Sequence, residues 1–250
     1  MPEGDTIFRT AESLRKALLG KRVVSARPLN LSRLAGTTVT EVSPVGKHLL
    51  IRFDNGLSLH SHMRMRGVWR VYRLGERWTR PAWQLKALLE TDEAQVACFA
   101  APVVELVRDV SSKVGHLGPD ILGDHWDAQA VVARARLLRP LAIGELLLDQ
   151  RVAAGIGNVY RCEALWQRKI NPWTRSDQLS DADLAALFEW ARQAMRANLR
   201  GARARRFPGS GAAAVHGRGG RPCPRCGTLV KVRAQGERAR LAYWCPRCQA

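Results

Sequence analysis

Ile7, Ala11, Leu14 and Leu18 recur at helical steps, so one apolar face and an amphipathic helix are predicted at the start of the chain. The period then shortens. KHLLIRF, LSLHSH, GVWRVYRL, WQLKALLE and VACFA are short alternating runs, which predict strands of a sheet-rich domain over about the first 115 residues. LGPDILGDHWD supplies the turn residues of a boundary. Helical spacing returns in LAIGELLLDQRVAAGIGNVYRCEALWQRKI, on both sides of Gly155-Ile156-Gly157-Asn158, so two helices are predicted to meet there. The glycines permit a tight turn, and the following helix would present its amide groups and positive dipole end, an arrangement suited to phosphate. Plain helix-breaking chemistry accounts for such a turn equally well. FPGSGAAAVHGRGG predicts a mobile connection, and TLVKVRAQGERARLAYW predicts two strands joined at Gln235-Gly236-Glu237.

Charge adds a partner to this β-rich, helical and hairpin series. Forty Lys and Arg against 22 Asp and Glu give a net charge of +18. Most of the excess is arginine, whose planar fork matches phosphate oxygens, so a polyanion is expected; a solubility charge or an arginine-rich coding bias is the alternative. From Trp190 to Gly236 there is no acidic residue, while Arg192, Arg196, Arg200, Arg203, Arg205, Arg206, Arg218, Arg221, Arg225, Lys231 and Arg233 fall within it. Arg192, Arg196 and Arg200 are spaced as on one helix face. With 250 residues, 46% of them hydrophobic, the chain can bury a sizeable core. It has no apolar run long enough for a membrane span and no secretion signal in MPEGDTIFRT, so a cytoplasmic, nucleoid-associated protein is expected.

Cys98 and Cys162 stand alone in apolar surroundings and are expected to be inert buried thiols. The other four cysteines form two pairs, Cys223-Pro-Arg-Cys226 and Cys245-Pro-Arg-Cys248, separated by 18 residues. That spacing is the one a four-cysteine zinc site uses, with two thiolates on each tight turn; a redox dithiol or a disulfide pair is the competing chemistry. Four protein ligands would leave no open coordination position, so one structural Zn2+ is expected and no organic cofactor. So short a segment has little core, and metal binding would supply most of its folding free energy.

Met1-Pro2-Glu3-Gly4, the Gly46-Lys47-His48-Leu49-Leu50 run, LLLDQRVAAGIGNVYRCE and the closing YWCPRCQ together resemble the formamidopyrimidine-DNA glycosylase and endonuclease VIII family along essentially the whole chain. The resemblance implies an α+β multidomain fold: an N-terminal β-sandwich with an N-terminal helix over 1–120, a helical helix-two-turn-helix domain over 121–216, and a zinc-finger hairpin over 217–250. It also implies a monomer that binds damaged DNA, has no membrane partner and acts as a bifunctional DNA glycosylase and AP lyase. A catalytically silent damaged-DNA-binding protein of the same fold is the alternative, and an RNA-binding zinc-ribbon protein a third reading.

By this resemblance Pro2, freed of Met1, is the nucleophilic amine, Glu3 the adjacent acid/base, and Lys47 a DNA contact that assists proton transfer in β-elimination. Asn158 binds a phosphate, and Arg240 grips the phosphate near the lesion and serves δ-elimination. Taken alone, Pro2 is an ordinary small second residue, Glu3 a surface or capping carboxylate and Lys47 a solvated strand-end lysine. A flipped-out nucleotide leaves a gap, and Arg64, Met65 and Arg66 are placed as its wedge; a packed hairpin-end methionine is the other role open to Met65. The Arg-x-Phe-Gly loop of the oxidised-purine branch is missing between Ala100 and Val110, which points to the endonuclease VIII side and oxidised pyrimidines. Thr6 stands where much of the family has glutamate. His116 stands where endonuclease VIII proteins often have a DNA-contacting arginine, and a mostly neutral imidazole would hold a phosphate less well.

Overall fold

The computed structural model describes residues 2–200, 205, 207 and 210–250. Helix α1 (Gly4–Leu18) buries Ile7, Ala11, Leu14 and Leu18, the four residues whose spacing predicts it. Two four-stranded antiparallel sheets follow. One orders β1 (Ser25–Arg27), β6 (Leu85–Glu90), β7 (Ala94–Phe99) and β5 (Val68–Arg73); the other orders β2 (Val39–Val45), β3 (His48–Phe53), β4 (Ser58–His62) and β8 (Val103–Val107). Leu49, Ile51 and Leu59 from the second sheet meet Trp69, Leu89 and Val96 from the first, together with Ile7 and Leu14, in one core. This is a β-sandwich with a helix packed into it. A one-turn helix, α2 (Ser111–Val114), closes the unit, and the fold divides into compact units at 1–116 and 117–250.

The second unit is helical. Helix α3 (Ala128–Arg136) is capped by Asp127, whose carboxylate accepts from the Gln129 amide at 2.8 Å; α6 (Asp181–Ala197) is capped by Ser180, which accepts from the Asp183 amide at 3.1 Å. Upstream of the glycine turn the expected long helix shrinks to one turn, α4 (Ile143–Leu146). Side chains intercept the backbone beyond it. The Asp149 carboxylate accepts from the Arg151 amide at 2.9 Å, and Gln150 accepts from the Gly155 amide at 3.0 Å while donating to the Leu148 and Ile156 carbonyls at 2.8 and 3.0 Å. These bonds hold two successive turns where the apolar spacing predicts continued helix. Helix α5 (Asn158–Gln167) starts directly after them.

Strands β9 (Lys231–Gln235) and β10 (Arg240–Trp244) pair as the expected hairpin, with Arg240 opposite Gln235 and Leu241 opposite Ala234. The turn lies at 236–239, one residue beyond Gln235, where Gly236 takes φ 71° and Ala239 φ 47°. The fold class inferred from the sequence resemblance is the one observed.

Candidate active site and nucleic-acid interface

Pro2 is half-buried and directly precedes Glu3, the N-cap residue of α1, whose side chain is wholly buried. Asp5, also wholly buried, accepts from the Thr6 amide at 2.8 Å. The chain end is therefore held by a helix start that sequesters two carboxyl groups. Lys47 occupies the second position of the two-residue turn between β2 and β3, since Val45 pairs with His48. Gly46 takes φ 59° at the first position, where a two-residue hairpin turn favours glycine. Lys47 is half-buried on this rigid turn.

The β3–β4 register gathers three histidines beside it. His48 pairs with His62, and His60 lies diagonally across. The His48 Nδ1 and His60 Nε2 atoms are 2.8 Å apart, and the His48 and His62 rings meet edge-on at 4.7 Å. Burial, reinforced by the charges of the neighbouring histidines, His116 and Lys47, pushes His48 down to about 3. Burial with Arg64 and Lys47 pushes His62 down to about 4. His60 falls below its ordinary value, mainly by burial, against the pull of Glu105. All three imidazoles are neutral at physiological pH. His116 itself is exposed at the end of the unit.

Between β4 and β5 the chain makes a tight loop. Met63 is 2% exposed, whereas Met65 is 62% exposed with Arg64 and Arg66 exposed on either side, so Met63 does the packing and Met65 projects. His62 Nδ1 accepts from the Arg64 amide at 3.1 Å, and Arg64 takes φ 44°, a left-handed conformation unusual for a residue with a side chain. A Cβ on Gly67 would lie 2.6 Å from the Met63 carbonyl oxygen and 2.9 Å from Ala101 Cα, so only glycine closes this loop. His62 and Gly67 hold Arg64, Met65 and Arg66 outward.

In the second unit, Asn158 opens α5 and donates from Nδ2 to the Leu241 carbonyl at 2.9 Å, which joins the glycine turn to the hairpin beside Arg240. Arg240 is exposed; Asn158 is half-buried. One helical turn on, Arg161 is buried under the same hairpin. Glu163, buried in the next turn, accepts from the Ala214, Val215 and His216 amides at 2.8, 3.0 and 2.8 Å, which ties the approach to the first cysteine pair onto α5. Burial outweighs these three bonds and leaves its carboxyl raised above its ordinary value.

The four sulfurs of Cys223, Cys226, Cys245 and Cys248 lie within 4.8 Å of one another. Sulfurs each about 2.3 Å from a tetrahedral zinc would be about 3.8 Å apart, so the donor set fits one such ion. Cys226 and Cys245 approach to 3.4 Å, well beyond a disulfide bond, and none of the six cysteines is in a disulfide. Trp166, at the far end of α5, donates from its indole N–H to Cys223 Sγ at 3.3 Å, an outer contact that orients the sulfur. The Arg225 guanidinium stacks 3.9 Å from the centroid of that indole and donates to the Trp166 carbonyl at 2.9 Å. Cys98 and Cys162 are buried, and burial pushes the first well above the ordinary thiol range and the second up to about 11.

The positive surface from Trp190 to Gly236 is smaller than its sequence suggests. Arg192 is turned inward, donating to the Ile121 and Gly123 carbonyls at 2.5 and 3.1 Å and lying over Trp126. Helix α6 ends at Ala197, so Arg200 lies beyond the helix face that Arg192 and Arg196 share. Arg203 and Arg206 lie outside the described residues. Sequence reasoning missed the histidine cluster and Arg161. Two signals could have found them: His60 and His62 share parity on one strand, and Arg161 follows Asn158 by three positions on one helix face.

The model of the formamidopyrimidine-DNA glycosylase N-terminal domain matches residues 1–102, and that of the formamidopyrimidine-DNA glycosylase H2TH domain matches 117–207. A protein named Probable endonuclease 8 2, from Streptomyces coelicolor, is 42% identical over 262 residues, spanning all of this chain and 94% of that protein. The chain belongs to the formamidopyrimidine-DNA glycosylase and endonuclease VIII family. A second family member, the DNA-(apurinic or apyrimidinic site) lyase Nei2 of Mycolicibacterium smegmatis, is 37% identical across all of this chain and 99% of its own length. The solved Lactococcus lactis Fpg, in complex with DNA containing N7-benzyl-Fapy-dG, shares the family fold at a TM-score of 0.82 and 22% identity, with 99% of each chain covered. Among the described residues no helix is long and apolar enough to cross a membrane.

Proposed function

We propose that this family member is a bifunctional DNA glycosylase and AP lyase of base excision repair that removes oxidised pyrimidines. The observation that carries the reading is Pro2 set directly before the wholly buried Glu3, in a chain matched over its full length by relatives named as endonuclease 8 and as an AP lyase. The absence of an Arg-x-Phe-Gly run between Ala100 and Val110 supports the pyrimidine preference.

After removal of Met1, Pro2 is a secondary amine. An α-amino group has a reference pKa of about 8, so a useful fraction is neutral at physiological pH, unlike an ordinary lysine. Its nitrogen attacks C1′ as the bond from C1′ to the base breaks, and the base leaves with a proton. The product is an aminal, whose C1′–O4′ bond then breaks to open the ring and leave an iminium, O4′ taking up a proton. Glu3, screened from water, exchanges a proton with the opening sugar ring. The iminium acidifies C2′; loss of that proton drives electrons toward C3′ and breaks the C3′–O bond, with Lys47 moving protons in this β-elimination. Asn158 and Arg240 hold backbone phosphates, and Arg240 supports the second, δ-elimination. Met65, projected between Arg64 and Arg66, fills the space left by the flipped nucleotide, and His116 adds a weak phosphate contact. When bound at Cys223, Cys226, Cys245 and Cys248, a structural zinc ion would fix the hairpin that carries Arg240 and take no part in the chemistry.

The test is borohydride trapping of the mature protein on duplexes carrying an abasic site or thymine glycol. A covalent adduct is expected with both, and an extra residue placed ahead of Pro2 abolishes it. No adduct with the abasic duplex, or trapping that survives the blocked amine, rejects the mechanism.

A further inference from the structure

Arg161 is 1% exposed and pairs with no carboxylate among the described residues. A cation buried without an ion pair is costly unless hydrogen bonds to its neighbours offset the lost water. Its acceptors include the Leu241 carbonyl at 2.8 Å, Gln235 Oε1 at 3.2 Å and the Gly144 carbonyl at 3.4 Å, and the Cys162 sulfur also bonds its guanidinium. Two of these belong to the hairpin, and both lie at one place on it. Gln235 is the register partner of Arg240, and Leu241 is the residue after Arg240. Cross-strand partners share a face, so Arg240 leaves the ribbon on the side where Gln235 is buried against the helices.

Asn158 converges on the same atom. Its Nδ2 and an Arg161 nitrogen both donate to the Leu241 oxygen, and the two residues sit one helical turn apart on α5. Turning the Asn158 amide over would set oxygen against oxygen, so the observed orientation is the favoured one, and it leaves the second Nδ2 hydrogen for another acceptor. Gln235 completes the arrangement by donating to the Pro172 carbonyl at 2.8 Å.

We propose that Arg161 is the positioning residue of the phosphate grip: it locks the Gln235–Arg240 rung and the Leu241 carbonyl to the first turn of α5, so that Asn158 and Arg240 face one DNA backbone with a fixed spacing. The inference rests on the phosphate roles given above to Asn158 and Arg240. A rigid planar fork suits the task because it reaches several acceptors in different directions from a single group, which an ammonium on a flexible stem does not.

The experiment uses the full-length zinc-loaded protein and a duplex containing a tetrahydrofuran abasic analogue, which cannot react, so the grip is read whether or not the glycosylase reading holds. Arg161→Met is expected to keep one zinc per chain, weaken binding on the order of tenfold and lower the slope of log affinity against log salt by about one, as a phosphate contact is lost. In a double-mutant cycle, Arg161→Met added to Arg240→Ala should weaken binding little beyond Arg240→Ala alone. A merely structural role would multiply the two losses. If Arg161→Met sheds its zinc, Arg161→Lys, which keeps the charge and most of the stem, is measured in the same cycle. Unchanged binding, or multiplicative losses in a zinc-loaded variant, overturns the proposal. Failure of the wild-type protein to trap on a true abasic site would instead reject the enzymatic reading alone.

Discussion

Gly144→Ala adds one methyl group at the point where α4 meets the hairpin. A Cβ there would lie 2.2 Å from Gln235 Oε1, with the amide carbon at 3.0 Å and the amide nitrogen at 3.1 Å. Ordinary contact begins near 3.4 Å, so the amide oxygen has to retreat by about 1.2 Å. Gln235 is buried and its amide already bonds Arg161 at 3.2 Å and the Pro172 carbonyl at 2.8 Å, so that retreat breaks both bonds. A bond to a charged group contributes about 1.5–3 kcal/mol and a neutral one about 1 kcal/mol. Alanine's better helix propensity offsets up to about 1 kcal/mol. The net is about 2 kcal/mol of destabilisation, which at a urea slope of 1–3 kcal/mol/M moves the unfolding midpoint down by about 1 M. The assay is equilibrium urea unfolding with zinc present, in two backgrounds. With Gln235→Ala there is no amide to displace, and Gly144→Ala should then be neutral or mildly stabilising. An equal penalty in both backgrounds, or none in the native one, refutes the steric account.

The three histidines make acid stability a local property of the first unit. His48, His60 and His62 all have pKa values lowered by folding, to about 3 and about 4 for the first and last, so below their ordinary value of 6.5 the unfolded chain binds more protons than the folded one. Stability is therefore full above about pH 6.5 and falls as the pH drops toward 3, by up to about 1.4 kcal/mol per pH unit for each group; His48→Asn should flatten that fall in pH-resolved urea titrations, and an unaltered slope would sink the idea. Arg240→Ala should weaken DNA binding and strand cleavage with the zinc content unchanged, as measured by metal analysis beside a cleavage assay; loss of zinc would mean that Arg240 is structural. Removing the metal with a strong chelator should shift the fluorescence of Trp166, whose indole touches Cys223 Sγ, and should abolish binding to abasic-analogue duplex, with both recovered on adding Zn2+. Binding that survives chelation would show that the hairpin holds its shape by packing alone.

The features legible in the sequence are those set by local spacing. Four apolar positions define α1, and the paired cysteines define their cluster because tight turns fix ligand geometry over a few residues. Strands β3 to β7 show as alternating runs. β2 does not, since a register shift between Val39 and Glu41 breaks its alternation and Pro44 sits near its end. The one-turn α4 was hidden because the apolar spacing of LAIGELLLDQ is helical, while the outcome is decided by Asp149 and Gln150 bonding to nearby backbone. Arg192 shows the same limit in charge: composition counts a cation, and only tertiary contact shows it spent on the Ile121 and Gly123 carbonyls. The histidine cluster depends on the register of β3 against β4, a long-range property invisible to any window along the chain.

Helix α5 acts as a ruler. Asn158 stands at its first turn, Arg161 and Glu163 in the middle, and Trp166 at its end against the cysteine cluster. Eight residues at about 1.5 Å each set some 12 Å between the Asn158 amide and the sulfur-facing indole, and about 100° of rotation per residue sets their bearing. Side chains on this rod can be exchanged one at a time, but its length cannot: one residue inserted between Arg161 and Trp166 would keep every chemical group and swing the indole away from Cys223 by more than a quarter turn.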